Sequence, residues 1–172
     1  MTTIVITEDE IAWDTQISVG NVRVYASGLP KVIVKGGKTY ASAGDSDAGE
    51  RLPDWERAGA DPETAPGGDW ELVVVSLYKG KPRARVYGHG SGGDNTGQNL
   101  SGHWLPFPLV LGTGGDYALG ALKLGQVQRR HVSATIACKV GALIDINSGG
   151  EIQSMLILET LQKAARKRKV AT

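Results

Sequence analysis

Short apolar runs, several of them alternating with polar residues, fill much of the first half of the chain and predict β-strands. These runs lie at 3–7, 11–17, 22–26, 31–35, 38–43, 70–80 and 82–88. Gly36-Gly37 is a hairpin signal, and Glu8-Asp9-Glu10 predicts a tight turn between the first two strands. Because the early strands follow one another through short turns, the pattern predicts an antiparallel meander over residues 3–43.

The second half of the chain shows helical spacing. The run GGDYALGALKLG predicts a helix with one apolar face, formed by Ala118, Leu119 and Leu122. Residues 128–144 predict a second amphipathic helix, with apolar side chains four residues apart at Val132, Ile136, Val140 and Ile144. The remaining predicted elements are a short helix at 45–59, loops at 60–69 and 88–102, and strands at 103–112 and 151–158.

Segregated runs of strands and helices favour an α+β fold with antiparallel sheets and helices outside them. With 172 residues and no long linker, the chain is interpreted as one domain, 1–172, ending in a basic tail at 159–172. The 24 glycines fit a fold that is rich in turns.

Composition and charge narrow the possible partners. The formal net charge of +1 predicts no bulk attraction to nucleic acid or to an anionic membrane. The chain has neither a signal-peptide pattern nor an apolar run of membrane-spanning length, so a cytoplasmic protein is expected.

The single cysteine, Cys138, lies in an apolar run and is interpreted as a buried, inert thiol. No histidine or cysteine spacing predicts a metal site, and no cofactor is expected.

Thr2 is the first candidate for chemistry because it follows the start methionine directly. If Met1 is removed, Thr2 carries a hydroxyl and a free α-amine, whose ordinary pKa of roughly 7.7–8.0 suits a base at neutral pH. An N-terminal residue of this kind can activate its own hydroxyl as a nucleophile. The alternative is that Thr2 is simply a β-forming residue at the start of the first strand.

Two charged residues interrupt apolar strands near this end. Asp14 lies in IAWDTQ and Lys31 in LPKVIV. If both lie beside Thr2, the ammonium would lower the proton affinity of the nucleophile, and the carboxylate would hold the lysine. The alternative is an ordinary surface charge on an edge strand. The glycine pairs in GTGG and DINSGG suit a close approach of backbone amides, although such pairs also end elements.

Four segments in order, TTIVIT…IAWDTQISVGN, LPKVIV, GTGGDYALGA and DINSGGEI, resemble the proteasome β-subunit family. The likeness covers residues 2–157 and is strongest to its bacterial HslV-type members and the shorter bacterial and phage homologues. It implies the four-layer αββα sandwich of N-terminal-nucleophile hydrolases, two antiparallel sheets flanked by helices. The segment 60–69 is too short for one helix of the full-length relatives.

The resemblance also implies roles for individual residues. Thr2 would be the nucleophile, with Asp14 and Lys31 as the charge pair that tunes it. Thr113, where the family usually has serine, and Asp145 with Ser148 would complete the hydrogen-bond network around the amine. The backbone N–H nearest Ser42 would bind the oxyanion.

The function implied by the resemblance is a threonine peptidase enclosed in a homo-oligomer, a stacked double ring of six or seven subunits each. Its substrate would be a peptide or an unfolded protein, and an ATPase unfoldase is a further implied partner. The alternative is a proteasome-like structural or binding ring with little or no proteolysis, which the missing helix and Thr113 keep open.

Overall fold

The structure, a computed structural model, describes residues 2–19, 22–24, 30–90, 99–146 and 148–170. The strands are β1 Ile4–Ile6, β2 Glu10–Asp14, β3 Ile17–Val19, β4 Val22–Val24, β5 Val32–Lys35, β6 Lys38–Gly44, β7 Trp70–Tyr78, β8 Lys81–His89, β9 Asn99–Leu105, β10 Leu109–Leu111 and β11 Ile152–Leu156. The α-helices are α1 Ser46–Arg57, α2 Gly115–Val127, α3 Ala134–Ile144 and α4 Ile157–Val170. The chain divides into two compact units.

The first unit comprises residues 1–28 and 107–157 and contains a four-stranded antiparallel sheet. The strand order is β10-β1-β2-β11, so the hairpin of β1 and β2 lies between two strands from the far end of the chain. Helices α2 and α3 pack against each other and on this sheet. Their shared core is built from small and medium side chains: Val5, Ala12, Ala118, Leu122, Ala134, Ala137 and Cys138.

The start of α3 is fixed to the sheet by a side chain of β2. The Glu10 carboxylate accepts hydrogen bonds from the backbone N–H and the hydroxyl of Thr135, which lies in the first turn of the helix. The Ser133 hydroxyl caps the same end by accepting from the Ile136 N–H at 3.3 Å. A carboxylate is favourable at this position because helix N-termini carry partial positive charge.

The second unit comprises residues 29–106 and 158–172 and contains a five-stranded antiparallel sheet in the order β5-β6-β7-β8-β9. Helix α1 packs on β6 and β7. The core between them is rich in aromatic side chains: Tyr40, Ala48, Leu52, Trp55, Trp70, Leu72, Val74 and Tyr87. Edge-to-face contacts join the Trp55 ring to those of Trp70 and Tyr87, each with 5.4 Å between ring centres.

The predicted fold class is confirmed: the chain is α+β, with two antiparallel sheets and helices packed on them. The connection at 60–69 contains a single 3₁₀ turn, Pro62–Thr64, where the turn-rich composition predicted a loop. The basic tail is the helix α4 through Val170. Within the described ranges, none of the helices combines the length and hydropathy needed to cross a membrane.

The predicted meander is wrong. Strands β1 and β2 belong to one sheet, β3 and β4 pair as a separate two-stranded ribbon, and β5 and β6 begin the five-stranded sheet. Most of the predicted runs lie on strands, although the strand predicted at 11–17 is divided between β2 and β3. The partners of β1 and β2 come from distant segments, which local turn signals do not report.

The predicted apolar face of α3 is also wrong. Ile136 and Ile144 are exposed, and the helix begins at Ala134, so Val132 precedes it. The buried face carries Ala134, Ala137, Cys138 and Gly141. Small side chains are buried here because α3 approaches α2 and β1 closely. The thiol of Cys138 is buried, as expected.

Candidate functional site

Asp14 joins the start of β1 to the loop that follows α3. Its side chain is fully buried. Oδ1 accepts the backbone N–H of Thr3 at 2.7 Å, and Oδ2 accepts the backbone N–H of Gly149 at 3.0 Å. A buried carboxylate is costly unless it is hydrogen-bonded, and here both of its oxygens accept backbone hydrogens. This one side chain therefore connects the start of β1 to Gly149, which lies 135 residues after Asp14 in sequence.

Thr3 is held at three atoms. Besides the N–H bonded to Asp14, its carbonyl oxygen accepts the Asp14 N–H at 3.1 Å and lies 3.4 Å from the donating thiol of Cys138. Its hydroxyl donates to Ser148 Oγ at 2.8 Å. The side chain is fully buried. Thr3 thus connects β1, β2, α3 and the loop after α3.

A chain of hydroxyl groups continues from Thr3 to Asp145. Ser148 Oγ, which accepts from Thr3, donates to Asp145 Oδ2 at 2.7 Å. The Thr113 hydroxyl donates to the same carboxylate oxygen. Asp145 is the residue that ends α3, where the partial negative charge of a helix C-terminus disfavours a carboxylate. Two hydroxyl donors offset that cost and fix the orientation of the carboxylate.

Glycines let the turn before α2 touch the start of β1. A Cβ on Gly112 would lie 2.0 Å from the carbonyl oxygen of Thr2, and one on Gly114 would lie 1.8 Å from Thr3 Oγ1. Gly112 also has φ +77, a conformation that favours glycine. On α3, a Cβ on Gly141 would come within 2.7 Å of the Thr3 methyl group. These glycines therefore leave room for Thr2 and Thr3 beside the turn before α2, and for Thr3 beside α3.

Thr2, the predicted nucleophile, is the residue directly before this bonded network and is 6% exposed. Its carbonyl oxygen lies 3.5 Å from the Gly114 N–H, which donates to it. The structure thus brings Thr2 together with Asp14, Thr113, Asp145 and Ser148, all from the first unit. Their catalytic roles stay predictions.

Two other predicted residues lie in the second unit. Lys31 precedes β5 and is half-buried, and its proximity to Thr2 stays a prediction. Ser42 lies on β6, and its N–H donates to the carbonyl oxygen of Lys31 at 2.9 Å. The oxyanion role of the backbone N–H nearest Ser42 stays a prediction.

Two groups of this network have no motif of their own in the sequence: Thr3 and the backbone N–H of Gly149. The threonine doublet at positions 2 and 3 is the one sequence signal for Thr3. No residue type marks a backbone donor in advance. Among the described residues, no group of three or more histidine, cysteine, aspartate or glutamate side chains is arranged to hold a metal ion.

The solved structures that resemble this chain share its fold at low sequence identity. Thiobacillus denitrificans BPH in complex with Epoxomicin matches with a TM-score of 0.63 and 16% identity, over 90% of this chain and 96% of BPH. A second structure of Thiobacillus denitrificans BPH matches with a TM-score of 0.62 and 17% identity, over the same shares of both chains.

No protein-family model and no curated protein sequence matches the chain. At this level of identity the likeness shows the fold alone, and that fold is proteasome-like. It agrees with the fold class that the sequence motifs implied.

Proposed function

We propose that this protein is a threonine peptidase of the N-terminal-nucleophile type, with Thr2 as the nucleophile after removal of Met1. The observation that carries the proposal is the buried network that starts at the next residue, Thr3, and runs through Ser148 to Asp145. Two facts support the proposal. The chain has a proteasome-like fold, and the structurally similar protein BPH has a structure in complex with Epoxomicin, a proteasome inhibitor.

In the proposed reaction, Thr2 Oγ attacks the carbonyl carbon of a peptide bond while its proton passes to the α-amine of Thr2. The C–N bond of the substrate then breaks, and the leaving amine takes that proton. The product is an ester of Thr2 Oγ with the acyl half of the substrate. Water attacks the ester, releases the carboxylic acid and restores the hydroxyl.

The residues around Thr2 would position it for this reaction. Asp14 and Thr3 fix the strand from which the N-terminus emerges. Ser148 and Thr113, oriented by the Asp145 carboxylate, would orient the α-amine through their hydroxyl groups. Lys31 enters the proposal through the sequence resemblance, as the cation that would lower the proton affinity of the hydroxyl.

We also propose that the chain assembles into a homo-oligomeric ring and that it is located in the cytoplasm. The first unit carries exposed apolar side chains on its two helices, which suits burial against another subunit: Tyr117, Leu124, Val127, Ile136, Leu143 and Ile144. Leu143 is 84% exposed and Val127 is 82% exposed. Enclosing a peptidase in a ring restricts it to unfolded or small substrates, which would make the assembly part of its selectivity.

The test of catalysis is intact mass spectrometry of the purified full chain with and without a threonine-directed inhibitor such as epoxomicin. The proposal expects loss of Met1 and addition of one inhibitor molecule to the N-terminal peptide. Thr2→Ser should still react, and Thr2→Ala should not. The matched control is Thr64→Ala in the exposed 3₁₀ turn, which should react like the parent chain.

Two results would contradict the peptidase. One is a Thr2→Ala chain that is labelled as fast as the parent chain. The other is a chain that lacks Met1, is folded and assembled, and neither reacts with the inhibitor nor cleaves a fluorogenic peptide. The second result would favour the alternative, a proteasome-like structural or binding ring.

A further inference from the structure

Aromatic rings and arginines alternate across one face of β7, β8 and β9. The Arg83 guanidinium lies 4.9 Å from the centre of the Tyr78 ring and 4.7 Å from the centre of a Trp104 ring. The Arg85 guanidinium lies 5.2 Å from the Tyr87 ring and 5.9 Å from a Trp104 ring. We call these five side chains the aromatic–arginine ladder.

The strand register produces the ladder. Arg83, Arg85 and Tyr87 alternate along β8 and therefore share one face, and Arg85 lies opposite Trp104 of β9. Tyr87 belongs to the core under α1, so the ladder continues the face that the helix covers. Gly102 makes room for Arg85, because a Cβ there would lie 2.7 Å from Nε of that arginine.

Most of the ladder is open to solvent and positively charged. Tyr78 is 53% exposed and Trp104 is 50% exposed. The segment 78–89 carries four lysines and arginines and no carboxylate. Among the described residues, no carboxylate is recorded within ion-pair distance of Arg83. Tryptophan, tyrosine and arginine are the residues that concentrate at the centres of protein interfaces.

The same unit carries an acidic surface of complementary charge. Residues 45–71 contain nine carboxylates and two arginines, a formal charge of −7. On α1, Asp47 and Glu50 are exposed and three residues apart, while Leu52 is buried. Asp54, four residues further on, is also exposed but already pairs with Lys35 of the same chain at 2.7 Å. We call Asp47 and Glu50 the α1 acidic stripe.

We propose that the aromatic–arginine ladder of one chain binds the α1 acidic stripe of a second copy. The inference rests on the ring assembly under Proposed function and is independent of its catalytic step. A contact between two different surfaces can repeat head to tail, and such contacts close into a ring when the rotation between neighbouring subunits closes. Arginine pairs well with carboxylates, and ring stacking already restrains Arg83, so less side-chain entropy is lost on binding.

The test uses two charge-reversed full-length chains, measured by sedimentation velocity and native mass spectrometry. One carries Lys81→Glu and Arg83→Glu, and the other carries Asp47→Lys and Glu50→Lys. Each alone should need at least about tenfold higher concentration to assemble at low salt. An equimolar mixture should recover assembly, because a ladder meets a stripe of opposite charge wherever the two chains alternate. In a ring with an even number of subunits the two chains should be present in equal numbers.

A matched control carries Arg129→Glu and Arg166→Glu, the same charge change at two exposed residues outside the ladder. It should assemble like the parent chain, and thermal unfolding should show that every variant folds. The inference is overturned if the parent chain is monomeric, if the charge-reversed chains assemble normally, or if the mixture does not recover assembly.

Inhibitor labelling of Thr2 on the same samples separates this inference from the peptidase. If the inhibitor labels Thr2 and the charge reversals do not change assembly, the peptidase proposal is supported and the docking surface is overturned. Unlabelled chains that assemble only when ladder and stripe have opposite charge would support the docking surface and contradict the peptidase.

Discussion

The Thr3 hydroxyl donates a hydrogen bond to Ser148 Oγ at 2.8 Å, in a site where both side chains are buried. Replacing Thr3 by valine keeps the shape of the side chain and removes the donor. We expect Thr3→Val to lower the free energy of unfolding by about 1–2 kcal/mol, because Ser148 loses a buried partner. Urea denaturation measures this loss.

The same substitution also tests a positioning role for Thr3. Under the proposed function, Thr3→Val should slow inhibitor labelling of Thr2 roughly tenfold, because the Ser148 hydroxyl is no longer held toward Asp145. Thr3→Ser keeps the hydroxyl and should restore the labelling rate, although it removes a buried methyl group and lowers stability. Equal labelling rates in both variants would contradict the positioning role.

Asp14→Asn should be strongly destabilising, although it only replaces one carboxylate oxygen by an NH₂ group. The carboxylate accepts two backbone N–H groups, whereas the amide has one oxygen, and its NH₂ would face the other N–H. We expect a loss of about 2–3 kcal/mol in the free energy of unfolding. Asp61→Asn is the control: this exposed side chain accepts one N–H, from Glu63 at 3.0 Å, and the change should cost well below 1 kcal/mol.

Gly114→Ala tests the close approach between the turn before α2 and β1. The added methyl group would lie 1.8 Å from Thr3 Oγ1, so the strand or the turn must move. We expect a loss of about 1–3 kcal/mol in stability and a lower rate of Thr2 labelling. Within α2, a Cβ on Gly120 meets no atom within 4 Å, and Gly120→Ala should stabilise the chain by about 0.5–1 kcal/mol. Thermal unfolding distinguishes the two outcomes.

The raised pKa of Tyr40 predicts a loss of stability at alkaline pH. The pKa of Tyr40 is raised above its ordinary 10.0, mainly by burial and next by the negative charge of Glu56. The Glu56 carboxylate accepts a hydrogen bond from the Tyr40 hydroxyl at 3.1 Å. Above pH 10 the unfolded chain therefore loses this proton while the folded chain keeps it. The stabilising contribution is complete below pH 10 and declines as pH rises toward the folded-state pKa, by up to about 1.4 kcal/mol per pH unit.

Stability measured at pH 8 to 11.5 should consequently fall less steeply in Tyr40→Phe than in the parent chain. The phenylalanine variant loses the hydrogen bond to Glu56 at every pH, so the slope and not the absolute stability is the readout. Identical slopes would show that Tyr40 ionises equally easily in the folded and unfolded states. Tyr87 also has a raised pKa, again mainly through burial, and remains in both proteins.

Sequence patterns predicted most of the elements because strands and helices follow from local periodicity. They failed where a partner lies far along the chain. Strand β1 pairs with β10, and β2 pairs with β11, so the early strands could not remain one meander. Helix α3 was predicted with its larger side chains inward, but Ala137 and Gly141 face the core. At Gly141 the carbonyl oxygen of Gly114 is too close for a larger residue, because an added Cβ would lie 2.6 Å from it.

The candidate site was predictable only in part, and for the same reason. The motifs placed Asp14, Asp145 and Ser148 near one another because each lies in a recognisable segment. The role of Thr3 depends on four hydrogen bonds with groups that are 11 to 145 residues away, which no local pattern encodes. The oxyanion role of the N–H nearest Ser42 rests on the resemblance alone and stays a prediction, whereas the bond of the Ser42 N–H to the Lys31 carbonyl oxygen depends on sheet register.

The immobilisation of Thr3 has a consequence for the amino end of the chain. With the N–H, the carbonyl and the hydroxyl of residue 3 all bound, residue 2 is joined to a fixed point by a single peptide link. Its Cα can move only on a sphere of radius about 3.8 Å, and Gly112 and Gly114 occupy part of that sphere. Accurate placement of Thr2 therefore requires few contacts of its own.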